Sequence, residues 1–428
     1  MKIPPVKGTR DFYPPQMAVH NFINDGWKRA SIRNGFEEYD GPIFEYLKMY
    51  QIKSGDEIVD QLFNFKDRGD RHLAIRPEIT PTLARMVNQQ INALSKPIKW
   101  FSVPRLCRAE RPQKGRLREF YQWNIDIIGI DDVLADAEII FTTIDYLRQL
   151  GLKPADVKAK ISSRKLLAAL LCNIGIPEEK LDSLYPLLDK KAKLPADTFE
   201  ELLKENVCDG AKVKTILDLM SVDSVEKISD IINLNQEAQA ALDEIKHLFD
   251  LLAVMDIGEY CVFDMSIVRG LAYYTGVVFE VHDMVGDLRA IAGGGRYDNL
   301  LRDFGGPAIS ATGMGMGDCV LEILLRQRGL LKDGQLQTRK VEFFVAYVND
   351  ELLKNVLEIT ARLRQADIST SFSYKAQNLK KQLKQAAALN AEKCIILGDE
   401  LEQGQIVIKD MSTGEQSCVD MGEFFKNL

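Results

Sequence analysis

The residues best suited to chemistry lie within Pro104–Gly129, PRLCRAERPQKGRLREFYQWNIDIIG, where five arginines, a lysine and two glutamates separate two apolar runs. A guanidinium fork clamps oxygens bidentately and keeps its charge when desolvated, so arginines beside glutamate on a sheet surface suit a polyphosphate ligand. A solvated charged hairpin is the other reading of the same stretch.

The elements that must position these groups are a strand, a basic loop and a returning strand. Trp100–Val103 enters apolar, the turn falls at Pro112–Gly115, and Phe120–Ile128 alternates apolar and polar residues as a half-buried antiparallel strand does. A period of two puts Arg108 with Glu110, and Gln122 with Asn124 and Asp126, on one face. A second hairpin, Leu62–Lys66 and His72–Pro77 around the turn Asp67–Asp70, delivers Glu78 and Thr80 to a helix over Pro81–Ala93. Those two either cap the helix or meet a ligand.

A chain of 428 residues has room for two or three domains. Seven cysteines without any CxxC pair argue against a zinc site and a disulfide framework, and point to a reducing compartment. The opening MKIPPVK is too short and proline-rich for a signal peptide, and no apolar run is long enough to span a bilayer, so a soluble cytoplasmic protein is expected. A net charge of -7 speaks against wholesale nonspecific nucleic-acid binding but leaves room for a local basic track. None of the four histidines sits near a nucleophile motif, and no P-loop occurs. Gly313–Gly317, GMGMG, fails as a dinucleotide loop because Asp318 stands where the third glycine belongs; small residues for tight helix-on-sheet packing are the reading preferred.

In chain order, the patterns predict a helix over Met17–Asn34, a strand over Phe36–Phe44 broken at Gly41-Pro42, helices over Glu45–Ile52 and Asp131–Gln149, and a strand over Val157–Ser162. Only helical spacing follows from Arg164 to Ile257. Strands return at Tyr260–Val268, Arg269–Gly276, Val277–Val281 and Ala290–Tyr297, and a helix follows at Asp318–Arg328. After the polar link Leu330–Arg339, alternating strands and helices predict a compact α/β domain with a mostly parallel sheet. Its Lys375, Lys380, Lys381 and Lys384 form either an RNA-facing track or a solvated helix face. The domains expected are 1–163 and 258–330 for a split core, 164–257 for a helical insertion, and 331–428 for the C-terminal unit.

Together the motifs resemble class II aminoacyl-tRNA synthetases, and specifically the histidyl-tRNA synthetase family. KGTRDFYP near the start, Arg76-Pro-Glu, RAERPQKGR from Arg108 to Arg116, VRGLAYY from Val268 to Tyr274, and GGRYD from Gly294 to Asp298 occur in the family's order. The resemblance implies an α+β fold: an antiparallel-sheet catalytic core with a helical insert and a C-terminal α/β anticodon-binding domain. It implies ATP and Mg²⁺, L-histidine and tRNA(His) as ligands, and a homodimer paired through residues 17–45. It further implies that Arg108 and the catalytic Arg269 face the α-phosphate, that Glu110 reads adenine and that Arg116 approaches the γ-phosphate. Glu78, Thr80, Gln122, Asp126, Arg269, Tyr273 and Tyr274 would hold histidine, and no resident metal site is implied.

The sequence departs from the family twice. Ala272 replaces an aspartate that many members carry, and Val320 stands where the third class motif ends in a phosphate-binding arginine. Either Arg116 and Mg²⁺ suffice there or an arginine elsewhere takes over. The missing arginine also brings in the alternative of a catalytically silent, histidine-binding regulator of a histidine-biosynthetic phosphoribosyltransferase; the C-terminal domain argues against it.

Overall fold

The computed structural model describes residues 3–54, 59, 62–191, 194–269, 273–286, 288–332, 336, 341–375 and 377–428. The chain divides into two compact units, residues 1–13 with 19–333, and residues 14–18 with 334–428. Most of the polar link predicted over 330–339 lies outside the described residues, as does Ala272.

The larger unit carries strands β1 (Glu37–Glu38), β2 (Phe44–Tyr46), β3 (Asn64–Lys66), β4 (His72–Ile75), β5 (Ile98–Ser102), β6 (Arg105–Cys107), β7 (Glu119–Ile128), β8 (Val157–Ser163), β9 (Cys261–Phe263), β10 (Val277–Asp283), β11 (Ala292–Arg296) and β12 (Ala311–Gly317). Among the described residues, nine of these form one sheet in the order β1-β5-β7-β12-β11-β10-β8-β9, with β6 also on β7. Pairing is antiparallel except at the two edges, where β1 lies parallel to β5 and β9 to β8.

The alternation in each strand gives the sheet two unlike faces. On one, Trp123, Ile125 and Ile127 of β7, Met314 and Met316 of β12, Phe279 and Val281 of β10, and Ala159 and Ile161 of β8 are all buried. The helices Leu134–Gln149 and Arg164–Asn173 pack against these strands. Trp123 stacks on Trp27 of the helix Pro14–Arg33 at 6.4 Å and donates its indole N–H to Ser31 Oγ at 2.7 Å. Burying such a ring contributes roughly 1.5–3 kcal/mol, and the N–H does not go unsatisfied. The other face carries Gln122, Asn124, Asp126, Glu280 and a set of glycines.

Three expectations change here. The strand predicted over Phe36–Phe44 breaks at Gly41-Pro42 as expected, but its two sides part company: β1 joins the large sheet, and β2 joins a separate sheet of order β2-β4-β3. No strand forms among the described residues of 269–276. The strand predicted over Tyr260–Val268 shrinks to β9, because Asp264 accepts from Ser266 N and Ser266 Oγ and turns the chain away. The hairpins, the helix Thr80–Gln90 and the helix-only stretch from Arg164 to Val254 are found as expected. Within that stretch the helix Gln236–Val254 packs on Arg164–Asn173 and on Leu134–Gln149.

In the smaller unit, β13 (Val341–Tyr347), β14 (Thr370–Phe372), β15 (Ala391–Leu397), β16 (Gln405–Asp410) and β17 (Gln416–Asp420) align as β14-β13-β15-β16-β17. The first two pairings are parallel and the last two antiparallel, so the sheet is mixed rather than mostly parallel. The hairpin of β16 and β17 accounts for the difference. Lys375 is exposed, as are Lys380, Lys381 and Lys384 on the helix Leu379–Ala388.

Candidate active site

The floor of the site is the polar face of β7, β12, β11 and β10. Register puts Asp126 beside Gly313, Asn124 beside Gly315, Gly315 beside Gly293, and Gly293 beside Glu280. A side chain at Gly313 would overlap Asp126 Oδ1, and one at Gly293 would overlap the Arg269 guanidinium. At Gly315 it would come within 2.8 Å of Gln122 Nε2. These glycines let three polar side chains lie flat across neighbouring strands, so Gly313 and Gly315 serve the site face and not the helix packing that sequence reasoning preferred.

Asp126 is buried and accepts the Tyr297 hydroxyl at 2.5 Å on Oδ1. Burial first, then Asp126, pushes the Tyr297 hydroxyl well above its ordinary range, so it stays protonated and donates. Tyr273 lies edge-on to Tyr297 at 5.9 Å and tilted on Tyr274 at 4.6 Å. Its own hydroxyl is driven up by burial, by Tyr274 and by Glu78, which brings Glu78 to this aromatic wall. Gln122 sits at the other end of the row, its N–H bonded to Pro104 O at 3.2 Å. Thr80 is the first residue of the helix Thr80–Gln90, whose N-cap has no side-chain hydrogen bond.

The basic side of the site begins at Arg108, whose Nε donates to Pro77 O at 3.1 Å. Burial lowers its pKa, Glu78 draws it back up, and Arg269 acts with burial, which makes Arg269 a like-charged neighbour. Arg269 donates to Glu280 Oε1 at 2.6 Å. Its backbone is left-handed, φ 58, an unusual state for a non-glycine residue. Arg164 over-determines that state by donating to Val268 O at 3.1 Å, Tyr274 O at 3.3 Å and Arg269 O at 2.7 Å. Glu280 also bonds His282 Nε2 at 3.0 Å. Burial opposes its ionisation, but the bonds to His282 and Arg269 prevail and hold its carboxyl down at about 2.

Arg116 and Glu110 are ion-paired with each other. Val320 is buried, and its Cγ2 lies 3.1 Å from where a side chain at Gly115 would begin. The sequence thus puts Arg108, Arg116, Arg269, Glu78, Asp126, Tyr273 and Tyr274 on one connected surface, with Glu110 on its rim. Sequence reasoning missed Glu280, Arg164 and Tyr297. A glutamate set between apolar neighbours in VVFEVHD was the available signal for Glu280; nothing local marks Arg164. GGRYD turns out to be a bracket: Arg296 pairs with buried Asp136, Tyr297 holds Asp126, and Asp298 accepts from Thr275 Oγ1 at 2.5 Å.

Residues 8–317 match the family model for histidyl-tRNA synthetase, and residues 342–428 match that for an anticodon binding domain. The chain belongs to the histidyl-tRNA synthetase family. A chloroplastic/mitochondrial histidine--tRNA ligase of Arabidopsis thaliana is 39% identical over 421 residues, 98% of this chain and 85% of that protein. A histidine--tRNA ligase of Opitutus terrae is 37% identical over 416 residues, 96% of this chain and 94% of its own length. The histidyl-tRNA synthetase structure from Nostoc sp. PCC 7120 has the same fold, with a TM-score of 0.80 at 22% identity, covering 100% of this chain and 99% of that one. With the synthetase and anticodon-binding models matched in one chain, nothing supports the regulatory alternative.

Proposed function

We propose that the chain activates L-histidine with ATP to histidyl-adenylate, releasing pyrophosphate, and then transfers the histidyl group to tRNA(His), releasing AMP. The observation that carries this reading is the convergence of Arg116, Arg108 and Arg269, with Glu78 close to Arg108, on the side of the sheet whose polar face carries Asp126. Gathering like charges costs free energy that a bound polyanion offsets.

In this reading Arg108 and Arg269 face the α-phosphate from two sides. A histidine carboxylate oxygen attacks the α-phosphorus, the bond from phosphorus to the bridging oxygen breaks, and the electron pair leaves with pyrophosphate. The carboxylate is already ionised, so no general base is required. Charge growing on the nonbridging oxygens is met by preplaced cations, which favours the transition state over the ground state. Asp126 takes the substrate ammonium; Glu78 and Tyr274 meet the imidazole nitrogens, with Thr80, Gln122 and Tyr273 completing the pocket. Directed hydrogen bonds of this kind reject analogues that lack the partner. Glu110 reads the adenine edge and Arg116 the γ-phosphate, which requires Arg116 to exchange Glu110 for the nucleotide.

Mg²⁺ is proposed as the counter-ion of ATP, held by phosphate oxygens and water. The protein donors on that side are guanidinium groups, which fit phosphate rather than metal. The C-terminal unit is proposed to bind the anticodon through the exposed lysines of its helix Leu379–Ala388. Exposed Ile43, Phe44, Tyr46 and Phe65 on and beside the sheet of β2, β3 and β4 support a homodimer and move its expected centre slightly beyond residues 17–45. No helix among the described residues is long and apolar enough to cross a membrane, and a cytoplasmic setting is proposed. Histidine-dependent exchange of labelled pyrophosphate into ATP tests the first step, and charging of a tRNA(His) transcript tests the second. Absence of both would refute the assignment.

A further inference from the structure

Val320 stands where the family resemblance implies a phosphate-binding arginine, so the charge around a departing pyrophosphate must come from other residues. Val320 is buried under the basic loop, against Gly115, so that position presents an apolar surface. Arg10, which also reaches this helix start, is occupied by Asp318 at 2.5 Å and Glu322 at 4.0 Å. Arg116 is paired with Glu110.

Another arginine arrives from a different part of the chain. Arg289 lies in the connection between β10 and β11, four residues before Gly293, over which Arg269 lies. Its Nη2 donates to Gln113 Oε1 at 2.7 Å. Gln113 and Arg116 exchange both backbone hydrogen bonds at 2.9 Å, so Arg289 is fastened to the same turn that presents Arg116. After burial, the charges that most disfavour protonated Arg116 are Arg289 and then Arg108. Arg289 and Arg116 are therefore presented from one turn, with Arg108 the next positive charge to act on Arg116.

We propose that Arg289 is a nucleotide-binding residue that supplies, from the β10–β11 connection, the cation missing at Val320, contacting the β,γ end of ATP and the pyrophosphate that leaves. The proposal rests on the ATP-dependent reading above. As the bond between the α-phosphorus and the bridging oxygen breaks, negative charge accumulates on pyrophosphate, and a planar fork beside Arg116 can share it bidentately. Arg289 is exposed, so ligand can reach it and its replacement leaves the core untouched.

The test uses Arg289→Gln, which keeps a donor for Gln113 but removes the charge, and Arg289→Lys, which keeps the charge. In pyrophosphate exchange, Arg289→Gln is expected to raise KM for ATP roughly tenfold, the loss of one charge-assisted contact, with histidine KM within about twofold. Arg289→Lys should fall between it and the wild type. Direct titration should show ATP weakened and AMP, which lacks the β,γ end, unchanged. The proposal is overturned if Arg289→Gln binds ATP as the wild type does, since holding the turn would then be the residue's whole role. It is also overturned if AMP and ATP weaken equally. The titrations read nucleotide binding without histidine or tRNA, so failure of the histidine-specific assignment would be seen separately, as a wild type that binds ATP but exchanges no pyrophosphate.

Discussion

Arg269 and Glu280 are bonded at 2.6 Å while the Arg269 backbone is held left-handed by Arg164, so the guanidinium is fixed at both ends before any ligand arrives. Replacing Arg269 with Ala is expected to slow adenylation by a factor on the order of a hundred or more, with less effect on histidine binding, because a preorganised cation at developing charge is lost. Single-turnover adenylation measures this; an unchanged rate removes Arg269 from the catalytic set.

The same pair predicts a pH signature. The carboxyl of Glu280 titrates at about 2 when folded and in the ordinary glutamate range when unfolded. A depressed folded value means its contribution is complete above about pH 4.5 and is lost as pH falls toward 2. Glu280→Gln should therefore lower the urea midpoint by a similar amount at every pH from 5 to 8, and the gap should narrow on acidification below that range. A gap that widens in acid would contradict the assigned ion pair.

Asp126 and Tyr297 should separate binding from chemistry. Asp126→Asn is expected to raise KM for histidine at least tenfold, about 1.4 kcal/mol per decade, and to leave KM for ATP within severalfold. Tyr297→Phe should give a smaller change in the same direction, because it removes one hydrogen bond from a carboxylate that remains in place. Equal effects on both substrates would mean that Asp126 supports the fold instead.

Gly313→Ala places a methyl group onto Asp126 Oδ1 from the neighbouring strand. The methyl group also meets the Ile125 carbonyl oxygen at 2.8 Å, so the expected outcome is impaired histidine binding together with some loss of stability as β7 and β12 give way. Thermal unfolding together with histidine titration would show it; intact histidine affinity would mean that Asp126 can move without consequence.

Removing residues 331–428 is expected to spare pyrophosphate exchange largely and to weaken tRNA charging. Charging that survives the deletion intact would remove the anticodon assignment from the smaller unit. For the proposed dimer, sedimentation at micromolar concentration should find two chains per particle, and Phe44→Asp with Tyr46→Asp should shift it toward one.

Much of this could be read in advance because Gln122, Asn124 and Asp126 alternate with Trp123, Ile125 and Ile127: the apolar parity packs into the core, and the polar one builds the site. Helical spacing from Arg164 onward was equally plain. What escaped reading depended on partners distant in sequence. The break at Gly41-Pro42 is legible in Phe36–Phe44, but not that its two sides find pairing partners in different sheets. GMGMG looks like a packing device until β7 is laid beside it, when its glycines prove to be the complement of Gln122 and Asp126. Arg164 has no local signature, since its three acceptors are carbonyls about a hundred residues away.

The two-faced sheet carries one more implication, for assembly errors. Along β12 the residues read Gly313, Met314, Gly315, Met316, with the glycines toward the site and the methionines toward the core. A slip of a single position would exchange the faces, driving thioethers into the substrate pocket and leaving holes under the helices. The chain cannot build a misaligned core around a working pocket, so a molecule that folds stably has, by the same pairing, also folded competently.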